Sequence, residues 1–208
     1  STSSLDITIT AGAGPTPGGD SSTLVYESAL APDGSGTHLT PDANPTSVSF
    51  TAGANDASVT LSAADMVATL PGGQAITWAL SNSGHTLIGT ENGVQVVEFD
   101  LTGTTSIASG TTCSVTVTET LLAPMADEGS TTGNLGKVDV VATDTLTSAT
   151  ATDHVTATVV DDGPIAAPDT NSVADGGTLT VLSSDIAEVM HNDATGADTP
   201  ITVVGVET

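Results

Sequence analysis

Apolar and polar residues alternate with a period of two in many short segments of the chain. Val97, Phe99 and Leu101, for example, are separated by the acids Glu98 and Asp100. Because a strand places successive side chains on opposite faces, this pattern predicts strands with one buried and one polar face. The other segments with this alternation are 5–10, 76–80, 113–118, 138–142 and 155–159.

Turn-forming residues such as Asn92-Gly93 separate these segments. Thr and Val are abundant, and the chain contains 22 Gly and 10 Pro, a composition that favours strands over helices. Short helical turns are predicted only from Ala63 to Leu70 and from Ser183 to His191. Many short strands with polar outer faces are typical of an antiparallel β-sandwich. The predicted fold class is therefore all-β.

A change of composition near residue 160 predicts a domain boundary. A long predicted strand ends there in Asp161-Asp162-Gly163-Pro164, and Pro168 follows, which is typical of a stiff linker. Strand candidates resume at 177–182 and 201–206. We therefore divide the chain into a lead-in strand at 1–20, a complete β-sandwich domain at 21–163, a linker at 164–168 and the beginning of a second β module at 169–208.

The charge of the chain is strongly one-sided. Its 25 Asp and Glu residues face a single basic residue, Lys137, for a net charge of −24. This excludes nucleic acid as a partner, because nothing could neutralise the phosphates. No apolar run approaches the 18 or so residues of a membrane-spanning helix, so no membrane insertion is expected. Acidic self-repulsion opposes folding until cations bind, which predicts a fold that depends on a divalent metal.

The acids around the linker are the best candidates for metal ligands. Ca²⁺ prefers several oxygen ligands, and loops rich in Asp, Gly and Thr provide mainly these. The adjacent pair Asp161 and Asp162, at a module boundary, favours metal binding over simple solvation of a turn. For the cluster of Asn192, Asp193 and Asp198 the two explanations are equally good, since Asp and Asn are also common turn residues.

The chain carries no recognisable catalytic motif. Its four histidines are scattered, and neither the H-E-x-x-H nor the G-x-S-x-G motif occurs. The single cysteine, Cys113, excludes an internal disulfide, and its place in an alternating segment predicts a core thiol. We therefore expect no enzymatic activity.

Several segments resemble the long extender repeats of giant RTX adhesins, which Gram-negative bacteria export by type I secretion. They are "VYESAL" at 25–30, "ITWALSNSGHTLIGTENGVQVVEFDL", "KVDVVATD" and the closing "ATVVDDGPIA". The "VYES" opening and the "VVDDGP" ending are the most specific, and the resemblance covers most of residues 20–167. The segment "HNDATGADTPITVV" is similar to the acidic loop and strand of cadherin-like repeats in the same adhesins.

The resemblance implies Ig/cadherin-like sandwich modules in tandem, with Ca²⁺ at their junctions and Glu27 as the opening acid. The candidate ligands are then Glu27, Asp161, Asp162, Asp169, Asn192, Asp193 and Asp198. The family's acid-Gly-acid-Gly run is replaced here by Asp144-Thr145-Leu146-Thr147, which argues against a Ca²⁺ site at that turn.

The function implied is that of a non-catalytic extender at the bacterial cell surface. It would project distal ligand-binding domains for adhesion and biofilm formation, with neighbouring repeats as its partners. The alternative is a sugar- or peptide-binding module of the same adhesins. One Trp and one Tyr provide few stacking surfaces for such a ligand.

Overall fold

The computed structural model describes residues 12–30, 41–70, 73–125, 132–168, 172, 174–178, 191–194 and 196–197. These residues form eleven strands and two short 3-10 helices, so the predicted all-β fold class is confirmed. Within these ranges, no helix has the length and apolar character needed to cross a membrane.

Two sheets face each other across the core. The strands are β1 Thr16–Pro17, β2 Ser21–Tyr26, β3 Ala43–Thr51, β4 Ala57–Met66, β5 Ile76–Ser81, β6 Thr86–Glu91, β7 Val94–Gly103, β8 Ser106–Ile107, β9 Thr112–Leu121, β10 Gly133–Asp144 and β11 Thr150–Val160. Sheet A has the order β1-β3-β9-β7-β6-β5, and sheet B has the order β2-β11-β10-β4-β8. Neighbouring strands are antiparallel except for β2 and β11, which run parallel.

Four of the alternating segments, in β7, β9, β10 and β11, supply much of the core, as predicted. In segment 76–80 the prediction is only partly right, because Ile76 is buried whereas Leu80 is exposed. Val97, Phe99 and Leu101 of β7 are buried, and Val155 and Ala157 of β11 face them from sheet B. The largest fully buried apolar side chains are those of Phe50, Phe99, Leu87, Ile107 and Leu135. Cys113 is only half-buried and packs against this core.

The helical turn predicted from Ala63 to Leu70 is wrong. Strand β4 continues through Met66, where Asp65 and Met66 pair with Lys137 and Gly136 of β10. Pairing with a long neighbouring strand therefore overrides the local sequence preference. The second predicted helical turn, from Ser183 to His191, lies outside the described residues except for His191. The predicted strands at 5–10 and 201–206 also lie outside them.

Part of the predicted lead-in segment belongs to the sandwich. Thr16 and Pro17 form β1 and pair with β3 at the edge of sheet A. The next two amides, of Gly18 and Gly19, donate hydrogen bonds to Asp153 Oδ2 at 3.0 and 2.9 Å. Asp153 is buried, so these bonds satisfy an otherwise costly carboxylate.

Trp78 lies on edge strand β5, where a glycine makes room for its ring. Trp78 Nε1 donates a hydrogen bond to the Val67 carbonyl at 2.6 Å, and the ring packs 6.1 Å from that of Phe99. Gly89 is paired with Trp78 on the neighbouring strand. A Cβ at position 89 would lie 2.7 Å from both Trp78 Cζ3 and Val97 Cγ1.

We expect Gly89→Ala to destabilise the sandwich by about 1–3 kcal/mol, because the added methyl group overpacks a filled site. The midpoint of urea unfolding measures this loss. Trp78→Phe removes the contacting ring atoms, so the double variant should lose less stability than the sum of the two single variants. Strictly additive losses of stability would show that the Trp78 ring does not limit the size of the side chain that fits at position 89.

Candidate metal centre

The parallel pairing of β2 and β11 brings predicted ligands together at one end of the sandwich. Val25 lies opposite Val159, and Tyr26 lies opposite Val160. Since parallel strands end at the same edge of a sheet, Glu27 leaves β2 at the end where Asp161 and Asp162 leave β11. The chain positions of these acids are more than 130 residues apart, and this pairing brings them to the same end of the sandwich. Their carboxylate oxygens do not form a group of three within 4.8 Å of one another among the described residues.

Glu27 is fully buried in a short 3-10 helix, Glu27–Ala29. Its Oε1 accepts a hydrogen bond from the Met125 amide at 2.7 Å. A carboxylate in this position is costly unless polar or charged groups compensate it. The burial of Glu27 therefore points to a structural or cation-binding role at this end of the sandwich.

Residues 191–194 and 196–197 dock onto the linker. Ile165 and Ala194 exchange two backbone hydrogen bonds of 2.9 and 3.0 Å. The Ala167 amide donates to Asp193 Oδ1 at 2.7 Å, and Asn192 Nδ2 donates to the Pro168 carbonyl at 3.4 Å. The linker is thus hydrogen-bonded to the following segment at Ile165, Ala167 and Pro168.

A glycine allows the closest approach in this docked segment. The Ala197 amide donates to the Asp162 carbonyl at 2.9 Å. Gly196 has a φ of +73°, and a Cβ there would lie 2.1 Å from the Asp162 carbonyl oxygen. Only glycine fits this position without a shift of the backbone. The docking therefore depends on Gly196.

The acids at the end of β11 fit a hard cation in chemical type. Asp161 and Asp162 are half-buried, and one carboxylate oxygen of each, Oδ1 and Oδ2 respectively, is shielded from solvent. Asp193 lies on the docked segment, where its Oδ1 holds the Ala167 amide, while Asn192 is exposed. Asp169 and Asp198 lie outside the described residues. Carboxylate and carbonyl oxygens are the donors that Ca²⁺ prefers.

Asp144, the last residue of β10, accepts hydrogen bonds from several nitrogen donors. Its Oδ1 accepts hydrogen bonds from the amides of Leu146 and Thr147 at 2.9 and 2.8 Å, and Asn55 Nδ2 donates to its Oδ2 at 3.0 Å. The amide of Thr147 is the main cause that lowers the pKa of Asp144 to about 2, with Asn55 next. Backbone and side-chain donors therefore stabilise the charge of this carboxylate.

Sequence reasoning missed a buried acid in the core. Glu119 of β9 follows Val115 and Val117 on the inward face, and it is 0% exposed. Both of its carboxylate oxygens are buried, and the Thr23 side chain on β2 and the Thr158 backbone lie close by without forming a hydrogen bond of good geometry. Burial raises the pKa of Glu119 to about 8, although the neighbouring Thr23 side chain and Thr158 backbone lower it. An acid at an inward position of an alternating strand was the available signal.

A second group that sequence reasoning missed lies on the outer face of sheet B and consists of Asp65, Asp139 and His154. It is the one group of three metal-ligating side chains that the described ranges bring within 4.8 Å of one another.

No family model matches the chain, and no curated protein or solved structure shows significant similarity to it.

Proposed function

We propose that the protein is a non-catalytic, Ca²⁺-stabilised extender module of a bacterial cell-surface RTX adhesin. In this proposal it is secreted and projects distal ligand-binding domains, with neighbouring repeats of the same polypeptide as partners. The observation that carries the proposal is the parallel β2–β11 pair. It places Glu27 at the same end of the sandwich as Asp161 and Asp162, where the linker begins.

The electrostatics of this end support a bound cation. Several carboxylates at one end of a chain with a net charge of −24 repel one another. A divalent cation relieves this repulsion, and its binding free energy adds to the stability of the folded state. Extracellular modules bind Ca²⁺ with dissociation constants of about 0.1–1 mM, so such a site would fill outside the cell and not in the cytosol.

A mechanical role needs a stiff connection between modules. The bridge between Ile165 and Ala194 and the bond from Ala197 to Asp162 attach the following segment to the linker. A cation held by Asp161 and Asp162 would then couple the linker to the sandwich. The module would transmit force along the chain instead of bending at residues 164–168.

Small-angle X-ray scattering of the full chain tests this proposal. In millimolar Ca²⁺ we expect Asp162→Lys to have a larger maximum dimension than the parent. The charge reversal should expel the cation, so that the linker no longer holds the following segment close to the sandwich. Circular dichroism should show that the variant keeps its strands. Glu98→Lys, on the outer face of sheet A, makes the same change of charge away from the linker and should scatter like the parent. Matching profiles for the parent and Asp162→Lys in Ca²⁺ would refute the proposed junction.

A further inference from the structure

Three metal-ligating side chains meet on the outer face of sheet B, on three adjacent strands. Asp65 lies on β4, Asp139 on β10 and His154 on β11. His154 is directly opposite Asp139 in the β10–β11 ladder. His154 Nδ1 lies 3.0 Å from Asp139 Oδ1, with which it forms a hydrogen bond that a bound cation would replace, and 3.8 Å from Asp65 Oδ2. Side chains on hydrogen-bonded strands are held at these separations by the sheet itself.

These separations match the coordination sphere of a small transition-metal cation. With bonds of 2.0–2.2 Å to nitrogen and oxygen, neighbouring ligands of tetrahedral Zn²⁺ lie about 3.4 Å apart. The two distances from His154 Nδ1, 3.0 and 3.8 Å, bracket this value. An imidazole with two carboxylates suits zinc and its neighbours, whereas Ca²⁺ and Mg²⁺ prefer oxygen alone.

The surroundings orient the central ligand. Asp139 is only 6% exposed although it lies on an outer face, and Ser62 Oγ donates to its Oδ2 at 3.3 Å. Partners outside the ligand set commonly fix the geometry of metal-binding carboxylates. The β10–β4 ladder also shifts register between Lys137 and Asp139, which breaks the regular alternation beside Asp139.

The charge around the group favours a cation. The one lysine nearby, Lys137, has its Nζ 3.5 Å from Asp20 Oδ2 rather than on the group itself. Asp20 Oδ1 also accepts a hydrogen bond from the His154 amide at 3.3 Å. The three carboxylates of Asp20, Asp65 and Asp139 share the single positive charge of Lys137.

We propose that Asp65, Asp139 and His154 form a binding site for a first-row transition-metal cation, with Zn²⁺ the expected occupant. Exposed Asp65 leaves one side of the site open to water, which would complete the coordination. The bound ion ties β4, β10 and β11 together. This site is separate from the linker acids, and its occupation does not depend on Ca²⁺.

Isothermal titration calorimetry with Zn²⁺ in millimolar Ca²⁺ tests the site on the full chain. We expect one equivalent of Zn²⁺ to bind to the parent, and His154→Gln and Asp139→Asn each to weaken the affinity at least tenfold. His85→Gln, a histidine change at the turn before β6, is the matched control and should bind like the parent. The melting temperature of the parent should rise on Zn²⁺ addition, because the ion binds only the folded state.

Nuclear magnetic resonance of the parent tests the site even if a variant folds poorly. In the parent, Zn²⁺ should shift the imidazole ¹⁵N signals of His154 and leave those of His85 in place. Either of two results would overturn the proposal: no binding by the parent at about 0.1 mM Zn²⁺, or equal binding by the parent and a folded His154→Gln variant. Because no linker acid is changed, failure here leaves the Ca²⁺ proposal standing.

Discussion

Replacing Glu119 with glutamine should remove a large part of the pH dependence of stability. Because the pKa of Glu119 is about 8 in the folded state and 4.5 in an unperturbed glutamate, the free energy of unfolding of the parent should fall as the pH rises. Each unit of difference corresponds to about 1.4 kcal/mol, so the loss between pH 4.5 and pH 7 is on the order of 3 kcal/mol. That is a large fraction of the 5–15 kcal/mol typical of a domain.

The direction of this pH dependence follows because the folded state binds the Glu119 proton more tightly than the unfolded chain does. Burial favours the neutral acid, so the folded state keeps its proton over a range in which the unfolded chain has released it. The contribution of Glu119 is therefore most favourable below about pH 4.5, declines as the pH rises towards 8, and is constant above that. Glutamine resembles the protonated acid in shape and does not titrate.

Urea unfolding at several pH values between 4.5 and 8.5 measures this effect. The difference in stability between Glu119→Gln and the parent should grow in favour of the variant as the pH rises. Asp175→Asn, which changes an acid at an exposed turn, should keep the parental dependence. A difference between Glu119→Gln and the parent that is constant with pH would show that Glu119 is ionised in the folded state.

Removal of Ca²⁺ should lower the melting temperature substantially. A site filled at a hundred times its dissociation constant adds about 2.7 kcal/mol to the folded state. For a domain of this size each kcal/mol corresponds to about 2–4 °C. One site at the linker therefore predicts a decrease of about 5–10 °C on chelation, and a second site would add to it.

Calorimetric melts with chelator, and with Ca²⁺, Mg²⁺ or Zn²⁺ restored singly, separate the ions. Ca²⁺ alone should restore the part of the stability that depends on the linker acids. The double variant Asp161→Asn with Asp162→Asn should lose this response, because the amides keep the shape but remove the charge. A melting temperature of the parent that chelation leaves unchanged would contradict the proposed dependence on calcium.

Local pattern was sufficient to predict strands β7, β9, β10 and β11 and their inward faces. The alternation of Val97, Phe99 and Leu101 with acids fixes which side of β7 is buried, whatever strand lies beside it. The turn at Asn92-Gly93, with φ values of 48° and 84°, uses residues that tolerate a left-handed backbone. These features depend on neighbours in the chain, so they can be derived from the sequence.

The tertiary structure alone decided which distant residues meet. No local signal shows that β2 runs parallel to β11, yet this pairing puts Glu27 at the same end of the sandwich as the linker acids. Strand β4 likewise extends through Asp65 because β10 offers it a partner, and this extension brings Asp65 to His154. A strand's face is a property of its own alternation, whereas its partner is chosen by pairing and packing across the whole chain.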